Sequence, residues 1–261
     1  APSAPSGRRA ASADAPRRRQ GGSHAKPGPP NEAPRQHGSF WKEVPILLLI
    51  ACCFHHSASA QLGAQTVTNP NLEAITRKLA SAEFAGRVSK SDGGRKAASF
   101  LVTQFREAGL KPLASNNDLL QPIASGGQNV VGLIEGKERK DEFVIVGAHY
   151  DGFGGGFVGA MDNAAGVALM VEVARSLAKN PPQRSVLFIA FDGGEQNNAG
   201  AKFYVEHPLV PLEKTVAAIN LAGFGGGFGE QLRESLYVIG AERSPQLTQA
   251  VTRHKRSEAH L

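Results

Sequence analysis

Two continuous apolar runs, with one amphipathic segment between them, constrain the fold of this chain more than any other feature. The runs are Phe143–Ala148 and Ser185–Phe191. Neither alternates with polar residues, which is typical of strands that are covered on both faces. The intervening segment Ala164–Lys179 places Val167, Met170, Val171, Ala174 and Leu177 on one helical face. This strand–helix–strand order predicts two parallel strands joined by a helical crossover.

The same alternation extends to both sides of this unit. Further strands are predicted at Asn129–Ile134, Val216–Leu221 and Ser235–Ile239, and further helices at Asn69–Leu79, Asp92–Ala108, Ala199–Glu206 and Gln246–Arg253. Gly86-Arg87 is predicted to lie in a loop between the first two helices. The order of elements predicts an α/β fold, a three-layer sandwich with a mixed, mainly parallel central sheet.

The positive charge of the chain is concentrated in its first residues. Residues 1–42 hold eight Lys/Arg and two acidic residues, which accounts for the whole net charge of +6. Residues 1–43 are rich in Ala, Pro, Ser, Gly and Arg and are predicted to be a disordered basic tail, or alternatively a translated upstream segment before a misassigned start. Because the remaining residues are neutral overall, the charge favours no nucleic-acid partner for the folded domain.

Residues 44–60 have the pattern of a signal peptide. The apolar run Val44–Phe54 is too short to span a bilayer, and Ala58-Ser59-Ala60 supplies the small residues that predict cleavage before Gln61. The expected location is therefore secreted or periplasmic, with no transmembrane span. In the alternative reading, residues 49–52 are a lipobox, Cys52 carries a lipid anchor and the protein is a membrane-anchored lipoprotein.

The predicted domain, residues 61–261, contains no cysteine, so a metal ion there must be bound by His and carboxylate side chains. Four polar blocks lie at the carboxyl ends of predicted strands or before a helix, where open α/β sheets place their ligands. Each block alone has a plain structural explanation, such as helix capping by Asp162. The blocks are His149-Tyr150-Asp151, Asp162-Asn163-Ala164, Gly193-Gly194-Glu195 and Asn220-Leu221-Ala222.

Taken together, the four blocks resemble the co-catalytic zinc aminopeptidase family, which includes bacterial leucyl aminopeptidases and has glutamate carboxypeptidase and the transferrin receptor as relatives. Their order and spacing are similar to the family from about Val130 to Gly223. Ala85-Gly86-Arg87 and residues 108–112 are similar to the segment that precedes these blocks in the family.

The resemblance implies two zinc ions and a peptide substrate. His149 would bind one zinc and Asp151 would orient its ring, Asp162 would bridge both ions, and Glu195 would bind the second. An enzyme of this kind is an aminopeptidase that hydrolyses the N-terminal residues of peptides.

This chain departs from the family pattern at two of these positions. Gly194 stands where the family has a glutamate general base, and Ala222 stands where it has an aspartate ligand. The final ligand of the family is a histidine well downstream, so the domain is predicted to be C-terminally incomplete. Two hypotheses follow: a zinc-dependent aminopeptidase, or a catalytically inactive peptidase-like module or truncated pseudo-enzyme that binds a peptide ligand.

Overall fold

The computed structural model describes residues 69–113, 118–224 and 238–254. Its α-helices are α1 (Asn69–Leu79), α2 (Asp92–Glu107), α3 (Ala165–Lys179), α4 (Ala199–Glu206) and α5 (Pro245–His254). Its strands are β1 (Leu120–Pro122), β2 (Gln128–Ile134), β3 (Arg139–His149), β4 (Arg184–Phe191) and β5 (Thr215–Asn220). Short helical turns lie at Ala82–Arg87, Ala160–Ala164, Leu212–Lys214 and Ala241–Arg243.

The described strands form one mixed sheet in the order β1-β2-β4-β3-β5. Strand β3 is parallel to both of its neighbours, β4 and β5, whereas β2 is antiparallel to β4 and to β1. In the parallel part, His149 lies opposite Phe191 and Gly147 lies opposite Asn220. The three parallel strands therefore end at the same edge of the sheet.

Helices cover both faces of the sheet, which makes three layers. On one face, α1, α2 and α3 pack against alternate residues of the strands, including Val130, Val146 and Phe188. On the other face, Tyr204 of α4 packs with the intervening residues, among them Ile145. Both faces of the central strands are apolar because helices cover them, and burial there is the main source of stability.

The predicted α/β three-layer fold is confirmed, with a mixed sheet that is parallel at β3, β4 and β5. The predicted loop at Gly86-Arg87 is wrong in part, since Ala82–Arg87 forms a short 3₁₀ turn with left-handed backbone at Ala85 and Gly86. Of the predicted strand Ser235–Ile239, only Val238 and Ile239 are described, and neither is in a strand.

The predictions for residues 1–60 lie outside the described residues. They comprise the basic tail, the signal peptide and the lipid anchor at Cys52, and they stay predictions. Among the residues that the structure describes, no helix has the length and apolarity needed to cross a membrane.

The burial of α2 yields a test of the core. Leu101 is fully buried between the helices and the sheet. Leu101→Ala is expected to lower the free energy of unfolding by about 2–5 kcal/mol, because it removes buried methyl groups and leaves a cavity. Lys96→Ala on the exposed side of the same helix is the control, expected within about 0.5 kcal/mol of the original. Urea denaturation measures both, and equal effects would contradict this packing.

Candidate metal centre

The candidate site lies at the carboxyl edge of the parallel strands. His149 is the last residue of β3, and Glu195 lies in the loop that follows β4. Asp162 lies in the helical turn that precedes α3, and its peptide bond to Asn163 is cis. The end of β3, the turn 13 residues after it and the loop after β4 thus converge at the edge where β3 and β4 end side by side.

Three of the residues predicted to bind zinc are brought together. One ligand atom each of His149, Asp162 and Glu195 lies within 4.8 Å of the others. The distance from His149 Nε2 to Asp162 Oδ1 is 3.1 Å. Asp162 is half exposed and His149 is largely covered. The group is therefore open to solvent on the side of Asp162.

Asp151 lies behind this group and is fully buried. Its two carboxylate oxygens accept hydrogen bonds from the main-chain N–H groups of Gly194, at 2.7 Å, and Glu195, at 3.1 Å. Its Oδ1 also lies 3.5 Å from His149 Nδ1, so the attraction between the two side chains is mainly electrostatic. Asp151 thereby ties the loop after β4 to the end of β3, as the partner of a metal-binding histidine does.

Asn163 is a residue of the site that the sequence reasoning missed. Its amide is buried and donates hydrogen bonds to the main-chain carbonyls of His149, at 3.2 Å, and Leu221, at 2.8 Å. It therefore joins the ends of β3 and β5 to the turn that carries Asp162. Its signal in the sequence was its place in one of the four blocks, directly after Asp162, but that block indicated no role for it.

The electrostatics of the group favour a cation. Burial lowers the pKa of His149, but the neighbouring carboxylates of Asp151, Asp162 and Glu195 outweigh it and leave that pKa raised. Burial, and then the charge of Asp162, raise the pKa of the Glu195 carboxyl. The buried Oε1 of Glu195 has no hydrogen-bond partner. Converging carboxylates with an unpaired oxygen are stabilised by a bound cation.

The donor set fits zinc. Nitrogen and oxygen ligands about 2.0–2.1 Å from a tetrahedral zinc ion lie about 3.3–3.4 Å from each other. The 3.1 Å separation of His149 Nε2 and Asp162 Oδ1 is close to that value. Imidazole nitrogen and carboxylate oxygen are both ligand types of zinc, and three protein ligands with an open position for water are the usual number in a catalytic site.

Gly194 and Ala222 bring no side-chain ligand to the site. Ala222 is exposed, in the segment after β5. At Gly194 the space for a side chain is filled, since a Cβ there would lie 2.4 Å from His149 Cγ and 2.7 Å from its Nδ1. The imidazole thus lies against the main chain at the position where the family has its general base.

The loop between β3 and the turn of Asp162 exposes several large apolar side chains. Phe153, Phe157, Val158 and Met161 are each about half exposed or more. The sequence GFGGGF occurs twice in the chain, at Gly152–Phe157 and Gly223–Phe228. The first of these segments forms a tight turn in which the N–H of Phe157 donates to the carbonyl of Gly154 at 3.0 Å. Most of the second segment, Gly223–Phe228, lies outside the described residues.

An α/β sandwich that brings His and carboxylate side chains together at the carboxyl edge of its sheet is consistent with the class of zinc-peptidase-like proteins. Residues 129–259 match "Peptidase family M28". This chain belongs to that family.

Individual relatives agree with this assignment. A "Probable zinc metalloprotease" of Pyrenophora teres f. teres is 29% identical over 191 residues, covering 63% of this chain and 40% of the relative. "Aminopeptidase YwaD" of Bacillus subtilis is 36% identical over 107 residues, covering 41% of this chain and 22% of the relative. This chain thus spans less than half the length of these relatives.

Among solved structures, LapB from Legionella pneumophila is similar with a TM-score of 0.51 and 22% identity, over 63% of this chain and 46% of that one. At this identity the likeness concerns the fold. It agrees with the mixed sheet and the helices on both faces.

The contact between Gly194 and His149 yields a prediction. Gly194→Ala is expected to weaken zinc binding by roughly 10- to 100-fold, because its methyl group must push the imidazole out of line. Isothermal titration of the metal-stripped chain measures this. Gln196→Ala, an exposed change in the same loop, is the control and is expected to leave the affinity unchanged. Equal affinities for Gly194→Ala and the original chain would contradict the crowding.

The raised pKa of His149 yields a second prediction, for the metal-free chain. A histidine whose pKa is raised by folding adds stability below its unfolded pKa of about 6.5, and this is lost as the pH rises through the folded pKa. The stability difference between the original chain and His149→Gln should therefore be larger at about pH 6 than at about pH 9. Urea denaturation in EDTA checks this, and a difference that grows with pH would contradict it.

Proposed function

We propose that this chain is a zinc-dependent metallopeptidase of the aminopeptidase type, in which His149, Asp162 and Glu195 hold the metal. The observation that carries the proposal is the convergence of these three side chains, with ligand atoms within 4.8 Å of one another. Membership in peptidase family M28 supports zinc as the ion and a peptide as the substrate.

Each residue of the group has a separate task in this proposal. His149 supplies a neutral nitrogen ligand, and Asp151 keeps the ring in place through its contact with Nδ1. Asp162 and Glu195 supply the negative charge that a divalent cation requires. A zinc ion in such a site acidifies a water molecule and polarises the carbonyl of the substrate.

The missing carboxylate at Gly194 determines the expected rate. In family members that have it, that carboxylate is expected to take a proton from the attacking water and pass it to the leaving amine. Loss of a general base typically slows such a reaction roughly 10²- to 10⁴-fold. Turnover by this chain is therefore expected to be slow even with zinc bound.

A second candidate function is peptide binding without hydrolysis. It is favoured by Gly194, because the family position of the base has no carboxylate and its space is filled by His149. In this case the zinc ion would bind a peptide at the same edge of the sheet, with no side chain to activate the water.

The cellular location is also a proposal. The apolar run Val44–Phe54 and the small residues after it support export to the periplasm or the medium. Retention through a lipid on Cys52 is the alternative that the same run supports.

Zinc titration and peptide turnover, measured on the same full-length chain, test the proposed function. The chain is expected to bind zinc and to release N-terminal residues slowly from a mixture of short peptides, as detected by mass spectrometry. Glu195→Gln preserves the size of the side chain but removes its charge, so both zinc affinity and turnover should fall by at least roughly tenfold.

Glu206→Gln is the matched control, because Glu206 is an exposed carboxylate at the end of α4. Its zinc affinity and turnover should equal those of the original chain. Zinc binding with no release of any residue would replace the peptidase by the peptide-binding module. Absence of zinc binding would contradict both functions.

A further inference from the structure

Arg87 is the largest side chain that is fully buried in the described part of the chain. Its guanidinium donates hydrogen bonds to four main-chain carbonyls. Nε donates to Tyr150 at 2.8 Å, Nη1 donates to Leu79 at 2.6 Å and Val158 at 2.8 Å, and Nη2 donates to Gly159 at 2.8 Å. Because a buried charge is costly without such partners, this arrangement is stable only while all three segments stay in place.

Three of the four carbonyls belong to segments that flank the candidate metal ligands. Tyr150 lies between His149 and Asp151, and Val158-Gly159 leads into the turn of Asp162. The fourth carbonyl, of Leu79, is at the end of α1, whose side chains belong to the main core. A single planar group thus connects both ligand-bearing segments to a packed helix.

The backbone around Arg87 is shaped to bring it there. Gly86 has a φ of 74° and Arg87 a φ of 57°, both in the left-handed region. A Cβ on Gly86 would lie 2.6 Å from the carbonyl oxygen of Phe157. The N–H of Gly152 also donates to the carbonyl of Arg87 at 3.3 Å. The Gly86-Arg87 segment therefore has little freedom to move relative to the loop after β3.

Gly159 is also closely packed, between the Arg87 guanidinium and the turn of Asp162. A Cβ on Gly159 would lie 2.5 Å from Arg87 Nη2 and 2.6 Å from the carbonyl oxygen of Asp162. Gly159 therefore lies in contact distance of both the guanidinium and the turn of Asp162, so a shift of one would displace the other. Asp151 and Asp162 are also near enough to attract the guanidinium electrostatically.

From these contacts we propose that Arg87 is a positioning residue, which sets the separation of His149 from Asp162 through the carbonyls of Tyr150, Val158 and Gly159. It contacts neither of these two side chains through a hydrogen bond and acts only through the main chain. The effect of Arg87 on zinc affinity rests on the proposed function. Its effect on the main-chain position of these segments does not.

The test compares Arg87→Met with Arg175→Met in the full-length chain. Arg175 is a matched control because it is also mostly buried. It donates to Glu172 on its own helix and to Gln104 on α2, which joins α3 to α2, and none of these bonds involves the ligand segments. Arg87→Met should weaken zinc binding by roughly 10- to 100-fold, the usual effect of losing a partner behind the ligands. Arg175→Met should leave the zinc affinity unchanged, even if it lowers stability as much.

Amide hydrogen exchange, followed by mass spectrometry on the metal-free proteins, is the second readout. Arg87→Met should speed exchange in residues 157–163, while exchange in α2 stays as in the original chain. Arg87→Lys keeps the charge but cannot reach carbonyls on three segments at once, so it should show the same local change. This variant replaces Arg87→Met in the test if the Met variant does not fold.

The outcomes separate the two proposals. If the original chain binds no zinc, the proposed function fails, and exchange in residues 157–163 alone decides the role of Arg87. Unchanged exchange in that segment, or an Arg87→Lys variant that behaves as the original, overturns the positioning role. Equal losses of zinc affinity in Arg87→Met and Arg175→Met overturn it too, because general destabilisation would then be the cause.

Discussion

Parallel pairing of β3 with both β4 and β5 is the constraint on which the rest of the structure depends. It makes the three strands end at one edge, with His149 opposite Phe191 and Gly147 opposite Asn220. The loops after these strands consequently begin side by side. A shift of one residue in this register would turn His149 to the other face of the sheet, and no arrangement of the loops would then complete the site. The register itself is held by apolar burial on both faces.

The fold was largely predictable because its signals are local. Apolar runs and helical periodicity mark β3, α3 and β4 directly, and turn residues mark their ends. The strand Leu120–Pro122 was not predicted, because a three-residue strand has no periodicity and is held by its pairing with β2. The polar start of β3, Arg139–Glu142, was missed for a similar reason: its partners on β4 stabilise it, whereas its own side chains are partly exposed.

The candidate site was predictable in its residue types but not in its geometry. The blocks indicated His149, Asp162 and Glu195, since strand ends and helix starts are where such side chains converge. The contact of His149 with the main chain at Gly194 has no local signal, because it depends on packing between the end of β3 and the loop after β4, about 45 residues apart in the chain. The same holds for Asn163, whose hydrogen bonds to the ends of β3 and β5 exist only after the sheet has formed.

Gly194 and Ala222 lack the carboxylates that the family has at these two positions. The affinity for a cation then depends on fewer charged side chains. Two fewer carboxylates mean less negative charge at the edge of the sheet, and Asp151 is already engaged by two main-chain N–H groups. In the proposed site, the attraction for a divalent ion then rests mainly on Asp162 and Glu195. With so few charges, the placement of each ligand counts more than in a charge-rich site, because a displaced carboxylate is not replaced by a neighbour. Buried hydrogen bonds that fix the main chain around the ligands thereby become part of the binding energy.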